Sequence, residues 1–210
     1  MRKTARFVTL IVLAGALGAC PTRRTDMPRK PPTSKNPLLA PWTGPHGGVP
    51  PFARVKLEHF APAIERAMAD SLAAMERIAA DPRPADFENT LAAMERATRP
   101  LSQALTVLGV WSGGLNTSEF QKIERAVRPK LAAYGDQVGQ TAALFKRIEA
   151  VYEAREKAGL NPEQARLAWK TWNDFVRAGA RLDAKAKARL TEINQKLAAR
   201  FTQFGQNLLA

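Results

Sequence analysis

Residues 51–101 read PFARVKLEHFAPAIERAMADSLAAMERIAADPRPADFENTLAAMERATRPL, and the fold class is legible in this stretch. Phe60, Ile64, Met68, Leu72, Met75 and Ile78 recur at three- and four-residue spacing, which puts one apolar stripe on one side of a helix. The spacing predicts a helix from about Leu57 to Ala80, with Pro62 in its first turn, where a missing N–H costs little. Asp81-Pro82-Arg83-Pro84 breaks the run. Asp86 is placed to cap a second helix, and Glu88 sits in a first turn that favours negative charge. Leu91, Met94, Thr98, Leu101, Leu105 and Leu108 carry that helix onward, and Pro100 inside the pattern is expected to kink it.

The same grammar continues toward the C-terminus. Gly113-Gly114 stops the second helix, and Asn116 or Thr117 can cap a third. The third places Phe120, Ile123, Val127, Leu131, Tyr134 and Val138 on one side, with an interruption expected at Pro129. A continuation carries Leu144, Phe145, Ile148, Val151 and Tyr152. Asn161-Pro162-Glu163-Gln164 supplies a cap, a proline at the first helical position and a glutamine at the third. Leu167, Trp172, Phe175 and Val176 are the expected core face of that helix, which Gly179 closes. Asp183 then opens a last helix with Ala186, Leu190, Ile193, Leu197, Phe201, Phe204 and Leu208 in register. Its apolar face has no evident partner within the chain, and no stop signal follows Leu208. Alanine-rich segments with few β-branched runs agree with the periodicity. The expected fold is all-α, an antiparallel array of about five or six helices. Ahead of it, the proline- and glycine-rich segment from Asn36 to Val55 is expected to be irregular, ordered by packing Leu38, Leu39, Trp42 and Phe52 onto the helices.

The N-terminus reads as an address. Arg2, Lys3 and Arg6 precede an apolar stretch from Phe7 to Gly18, which is short for a bilayer span but suits the apolar core of a signal peptide. Leu17-Gly18-Ala19-Cys20 resembles the lipobox of bacterial lipoproteins, in which the cysteine is acylated and becomes the first mature residue. The alternative is an ordinary cleaved signal with a cysteine near the cut by chance. On the lipobox reading, residues 1–19 are a signal peptide, Cys20 carries the lipid, and residues 20–35 form a basic, proline-rich tether. Pro21 after the cysteine does not resemble an inner-membrane retention signal, so the expected location is the cell envelope, lipid-anchored at the outer membrane and facing the periplasm. Cys20 is the only cysteine, which excludes an internal disulfide. Residues 1–35 hold eight Lys/Arg against one Asp, whereas residues 36–210 hold 24 against 18 acidic residues. Half of the basic excess is therefore in the tail, and no nucleic-acid partner is expected.

Lys56-Leu57-Glu58-His59-Phe60-Ala61-Pro62-Ala63 and Asp86-Phe87-Glu88-Asn89-Thr90-Leu91, extended to Glu95, resemble the N-terminal region of the thimet oligopeptidase family of zinc metallopeptidases. The bacterial peptidyl-dipeptidase and oligopeptidase A branch is the nearest in kind. Asn36-Pro37-Leu38-Leu39, Phe175 to Leu182 (FVRAGARL) and Phe201 to Leu209 (FTQFGQNLL) extend the resemblance across residues 36–210. It implies the N-terminal helical domain of a larger all-α fold, forming part of the wall of a channel in which short peptides are hydrolysed. In the full-length family a long further segment holds the active site, so a missing C-terminal catalytic domain is the expected packing partner.

That family binds zinc through H-E-x-x-H on a helix, where two histidines share a face and the glutamate polarises the metal-bound water. Here His46 and His59 stand thirteen residues apart and neither is followed by Glu. No catalytic, metal or cofactor-binding residue carries over, and this chain alone is expected to be inactive, with zinc belonging to the full-length family. His59 is expected to serve the helix start, and Phe87-Glu88-Asn89-Thr90 to be architecture. Trp169 and Trp172 are read as one core residue and one partly covered neighbour. Arg177, Arg181, Lys185, Arg189, Lys196 and Arg200 form a basic stripe read as a solvated face. The second reading of the whole is a stand-alone, non-enzymatic helical lipoprotein that binds a peptide or protein partner.

Overall fold

The computed structural model describes residues 35–43 and 48–208, which belong to the unit Thr33–Ala210. The signal peptide, Cys20, all but the last residue of the tether, and His46 lie outside the described residues. Among the described residues six α-helices make the fold: α1 (Leu57–Ala79), α2 (Ala93–Gly114), α3 (Ser118–Gly139), α4 (Ala142–Ala154), α5 (Pro162–Arg177) and α6 (Ala184–Asn207). Among the described residues there is no β-strand, only an isolated bridge between Thr43 and Val49. No helix among them is long and apolar enough to cross a membrane.

Local chemistry sets most helix starts. Asp86, Thr117, Asn161 and Asp183 each accept a hydrogen bond from the backbone N–H three residues on, satisfying a donor that the first turn leaves open. At α1 the Lys56 N–H donates to His59 Nδ1 at 3.0 Å, so His59 serves the helix start as expected. Gly179, with φ +91°, turns the chain after α5; a Cβ there would meet Leu190 Cδ2 at 2.8 Å. Only glycine suits both the left-handed backbone and that space.

Helix α1 is the spine, because its apolar face serves two clusters. Its first half packs Phe60, Ala63, Ile64 and Met68 with Leu101, Val107 and Leu108 of α2 and Phe120 and Val127 of α3. Phe60 stands edge-on to Trp111 and Phe120, at 5.1 and 5.5 Å between ring centroids, a geometry that aromatic quadrupoles favour. Its last turns bring Met75 to a second cluster with Leu91, Leu144, Ile148 and Val151, and with Ala168 and Phe175 of α5. Leu38 is buried against the first cluster, with Leu39 and Trp42 partly covered beside it.

Several expectations need correction. Phe52 is exposed rather than packed. Pro62 lies in the second turn of α1, since that helix begins at Leu57. Pro129 does not interrupt α3, which runs through it to Gly139; packing on both α1 and α6 outweighs the one backbone bond that proline forfeits. The expected continuation of α3 is a separate helix. The Gln140 carbonyl accepts from Lys187 Nζ at 3.0 Å instead of extending the helix, and α4 begins at Ala142. Leu167 is exposed, and Ala168 takes the buried position on α5.

The Phe87-Glu88-Asn89-Thr90 segment forms a π-helical turn, Phe87–Ala92, ahead of α2. The wider turn accompanies burial of both Thr90 and Leu91, adjacent residues. Asn89 is its hub. Its Oδ1 accepts from the Asp86 N–H (3.0 Å), Thr90 Oγ1 (2.9 Å) and Arg147 Nη2 (2.7 Å), while its Nδ2 donates to the Pro84 carbonyl (2.8 Å). Arg147, buried on α4, also donates from Nη1 to the Asp81 and Arg83 carbonyls at 2.7 and 2.9 Å. One guanidinium thus fastens the proline-rich joint to α4. Beside it, Arg83 grips the Asp81 carboxylate and holds its pKa down to about 2.

Replacing Arg147 by Met leaves three acceptors without this donor and is expected to cost about 2–3 kcal/mol. Urea unfolding checks this, and an R147M midpoint equal to that of the parent would contradict the role given to the joint.

Candidate functional site

The surface that stands out is α6, for the way it is mounted. Its face toward α3 is polar. Lys187, Thr191, Asn194, Ala198, Thr202 and Gln206 lie there, partly or fully buried. Asn194 Nδ2 donates to Asp136 Oδ1 at 2.6 Å. Gln206 Nε2 donates to the Gln121 carbonyl at 3.1 Å, and its Oε1 accepts from Arg125. Gln140 and Thr191 meet at 3.4 Å, and Lys187 reaches the Gln140 carbonyl. Asp136 is only 6% exposed, and its Oδ2 has no hydrogen-bond partner among the described residues. A buried carboxylate with one satisfied oxygen makes this seam costly to disturb.

With polar residues turned inward, the apolar stripe of α6 is left outside. Phe201, Phe204 and Leu208 are 70%, 62% and 71% exposed, and Ile193, Leu197 and Leu182 are exposed as well. At about 3.6 residues per turn the stripe lies roughly a quarter of a turn from the α3 seam. This is the helix face for which the sequence offers no partner, and none of the six helices covers it. A contiguous patch of this kind on a water-facing surface marks an interaction site.

Between α3 and α6 runs a cleft of about 550 Å³, with Phe201 in its wall and Ser112, Asn116, Glu124, Arg128 and Gln206 around it. Glu124 is 4% exposed and accepts from Arg128 Nη2 at 2.9 Å. An apolar groove of about 370 Å³ lies elsewhere, lined by Met75, Met94, Leu167 and Phe175 with Glu95 and Asp174 at the edge. In the first, Glu124 is held by Arg128, and among the described residues no hydrogen bond joins it to Ser112. Among the described residues no group of three or more His, Cys, Asp or Glu could hold a metal ion. His59 is already bonded through Nδ1 and stands 3.9 Å from Glu58. The donor set of the described residues does not fit zinc.

The basic stripe divides. Arg181 is tied to Glu149 at 2.7 Å and lies over Trp172, which keeps the Glu149 pKa low; Arg189 pairs with Glu192 at 2.9 Å. Lys185, Lys196 and Arg200 are exposed and unpaired among the described residues. Trp172 packs against the second cluster and stacks on Tyr152 at 4.4 Å, whereas Trp169 is exposed beneath Arg166. The sequence reading missed the buried polar residues Glu124, Asp136, Arg147 and Gln206. The one available signal was the polar spacing 187, 191, 194, 202 and 206 on α6, which resembles a solvated face until α3 is placed against it.

No family model matches the chain. Individual proteins do. The dipeptidyl carboxypeptidase of Salmonella typhimurium is 35% identical over 177 residues, 84% of this chain and 26% of that protein. The dipeptidyl carboxypeptidase of Escherichia coli is 32% identical over 85% of this chain and 26% of its own length. Oligopeptidase A of Salmonella typhimurium is 28% identical over 83% of this chain and 25% of its own. The chain spans about a quarter of the length of these curated relatives.

If the polar seam mounts α6, Asn194→Ala, which leaves the Asp136 carboxylate buried with neither oxygen bonded, should cost about 1–3 kcal/mol. Gln195→Ala, on the exposed side one residue away, should stay within about 0.5 kcal/mol of the parent. Chemical denaturation of both variants checks this; equal losses would contradict it.

Proposed function

This chain is a homologue of the dipeptidyl carboxypeptidases and oligopeptidases A of the thimet oligopeptidase family, and from that premise we propose that it forms a non-catalytic helical portion of a zinc-dependent peptide hydrolase. The observation that carries this reading is the match of 84% of the chain to 26% of a dipeptidyl carboxypeptidase. The make-up of the described residues agrees with it: they hold two apolar clusters and a polar seam. The full-length protein acts on short peptides, and this portion supplies wall rather than chemistry. Helices set side by side around a channel admit an extended chain and exclude a folded one, so the portion would govern what enters. Zinc and its activated water belong to the remainder of such a peptidase. The catalytic part is the packing partner of the helices described here.

Residues 1–35 carry the second half of the proposal. On the lipobox reading, Cys20 is acylated after cleavage of residues 1–19, and the basic segment 20–35 spaces the helices from the lipid. Two or more acyl chains suffice for stable attachment where one is marginal. The protein then works at the bacterial cell envelope, anchored in the outer membrane and facing the periplasm.

Purified as the 210-residue chain with zinc supplied, the protein is expected to leave a quenched-fluorescence peptide intact. Chelator-sensitive turnover by this chain would overturn the non-catalytic assignment. Sequencing beyond the Ala210 codon tests the family reading itself: an H-E-x-x-H in the following few hundred codons, in frame or frame-shifted, supports it, and its absence favours a stand-alone binding protein.

A further inference from the structure

Resting on the peptidase reading above, we propose that the exposed stripe Ile193, Leu197, Phe201, Phe204 and Leu208 is the docking face for one helix of the remaining three quarters of the peptidase. That helix presents an apolar face flanked by carboxylates.

The apolar half of this inference follows from the mounting of α6. Its polar face is taken up by Asp136, Gln121, Arg125 and Gln140 of α3 and the segment after it. The helix cannot roll its phenylalanines inward without stripping the partner from the buried Asp136. The stripe therefore has to be covered from outside the six helices. Its length, from Ile193 to Leu208, spans about four helical turns, enough to receive a helix rather than a loop.

The charged half follows from the borders. At about 3.6 residues per turn, Lys185, Arg189, Lys196 and Arg200 fall along the edge of the stripe away from α3. Three of these cations have no partner among the described residues, and Arg189 shares its charge with Glu192 alone. The opposite edge is the 550 Å³ cleft, which Phe201 walls together with Asn116, Glu124 and Gln206. A helix lying on the stripe brings carboxylates to the cation edge and side-chain amides or hydroxyls to the cleft, where Asn116 Oδ1 is buried and unpaired among the described residues. Charge complementarity of this kind fixes register as well as partner.

The same borders disfavour the other occupants. An antiparallel pair of α6 helices related by a two-fold axis sets the cations of both copies on the same side, where they repel. An anionic lipid surface matches the cations but would press its headgroups toward Glu124 and the polar cleft. The relatives, four times longer than the matched region, supply polypeptide for the role.

The test is cysteine footprinting, with Cys20→Ser in the chain and every cysteine of the relative's portion replaced in the chimaera, so that the introduced cysteine is the single thiol of each protein. Phe201→Cys and, as control, Glu163→Cys on the first turn of α5 are compared in two proteins. One is the 210-residue chain. The other is the Salmonella typhimurium dipeptidyl carboxypeptidase with its matched quarter replaced by residues 36–210 of this chain. Maleimide labelling at position 201 should be fast in the chain alone and more than about tenfold slower in the chimaera, with position 163 fast in both. A chimaera that hydrolyses peptide while position 201 labels at the free rate overturns the docking face and leaves the peptidase reading standing. A chimaera with neither hydrolysis nor protection overturns both. Protection of position 201 in the chain alone by phosphatidylglycerol vesicles, but not phosphatidylcholine vesicles, assigns the stripe to a membrane and overturns the proposal. Protection that grows with the concentration of the chain alone assigns it to a second copy, with the same result.

Discussion

The hydrogen bond from Asn194 to the buried carboxylate of Asp136 fixes the rotation of α6 about its own axis, and the functional reading depends on that rotation. A 24-residue amphipathic helix would ordinarily bury its apolar stripe and show water its polar side. Here the reverse is observed, because α3 offers a carboxylate, a backbone carbonyl and an arginine where an apolar groove would otherwise lie. Each of these groups is expensive to bury unpaired. Together with Gln206 and Lys187 they hold α6 in an orientation that hydrophobic burial alone would not choose. A surface left apolar at the cost of a polar seam is the mark of one portion of a larger body.

The Arg147–Asn89 joint does comparable work at the other end of the fold. The chain leaves α1 through a proline-rich segment that cannot make helical hydrogen bonds, and its free carbonyls at Asp81, Pro84 and Arg83 are collected by one guanidinium and one amide. This lets α4 and the π-helical turn close over Met75 and Leu91 as one cluster. The most recognisable sequence of the chain, Phe87-Glu88-Asn89-Thr90, is thus a structural fastening. Its distinctiveness reflects how many bonds converge on a single asparagine.

What was legible in the sequence was local. Caps at Asp86, Thr117, Asn161 and Asp183, the turn glycine at 179 and the apolar face of α1 depend on neighbours within a few residues, and the helices start where these signals lie. The unpartnered stripe of α6 was legible too, since it required only the count of apolar positions. What escaped was tertiary. No spacing rule makes Arg147, Asp136 or Glu124 interior residues; each is buried because a specific partner from a distant helix meets it. The break after Gln140 belongs with these, for there the Gln140 carbonyl is met by a lysine 47 residues away. The lipidation proposed for Cys20 and the histidine His46 fall on residues outside those described.

The central claim is that α6 turns its phenylalanines to water while the cores around α1 stay closed. Hydroxyl-radical footprinting of the unmodified 210-residue chain, read by mass spectrometry, tests it most directly. Phe201 and Phe204 are predicted to oxidise readily, while Phe60 and Phe120, fully buried in the first cluster, remain protected. Protection of Phe201 and Phe204 to the level of Phe60 in a monomeric chain would mean that α6 is rolled inward, and the account would fail.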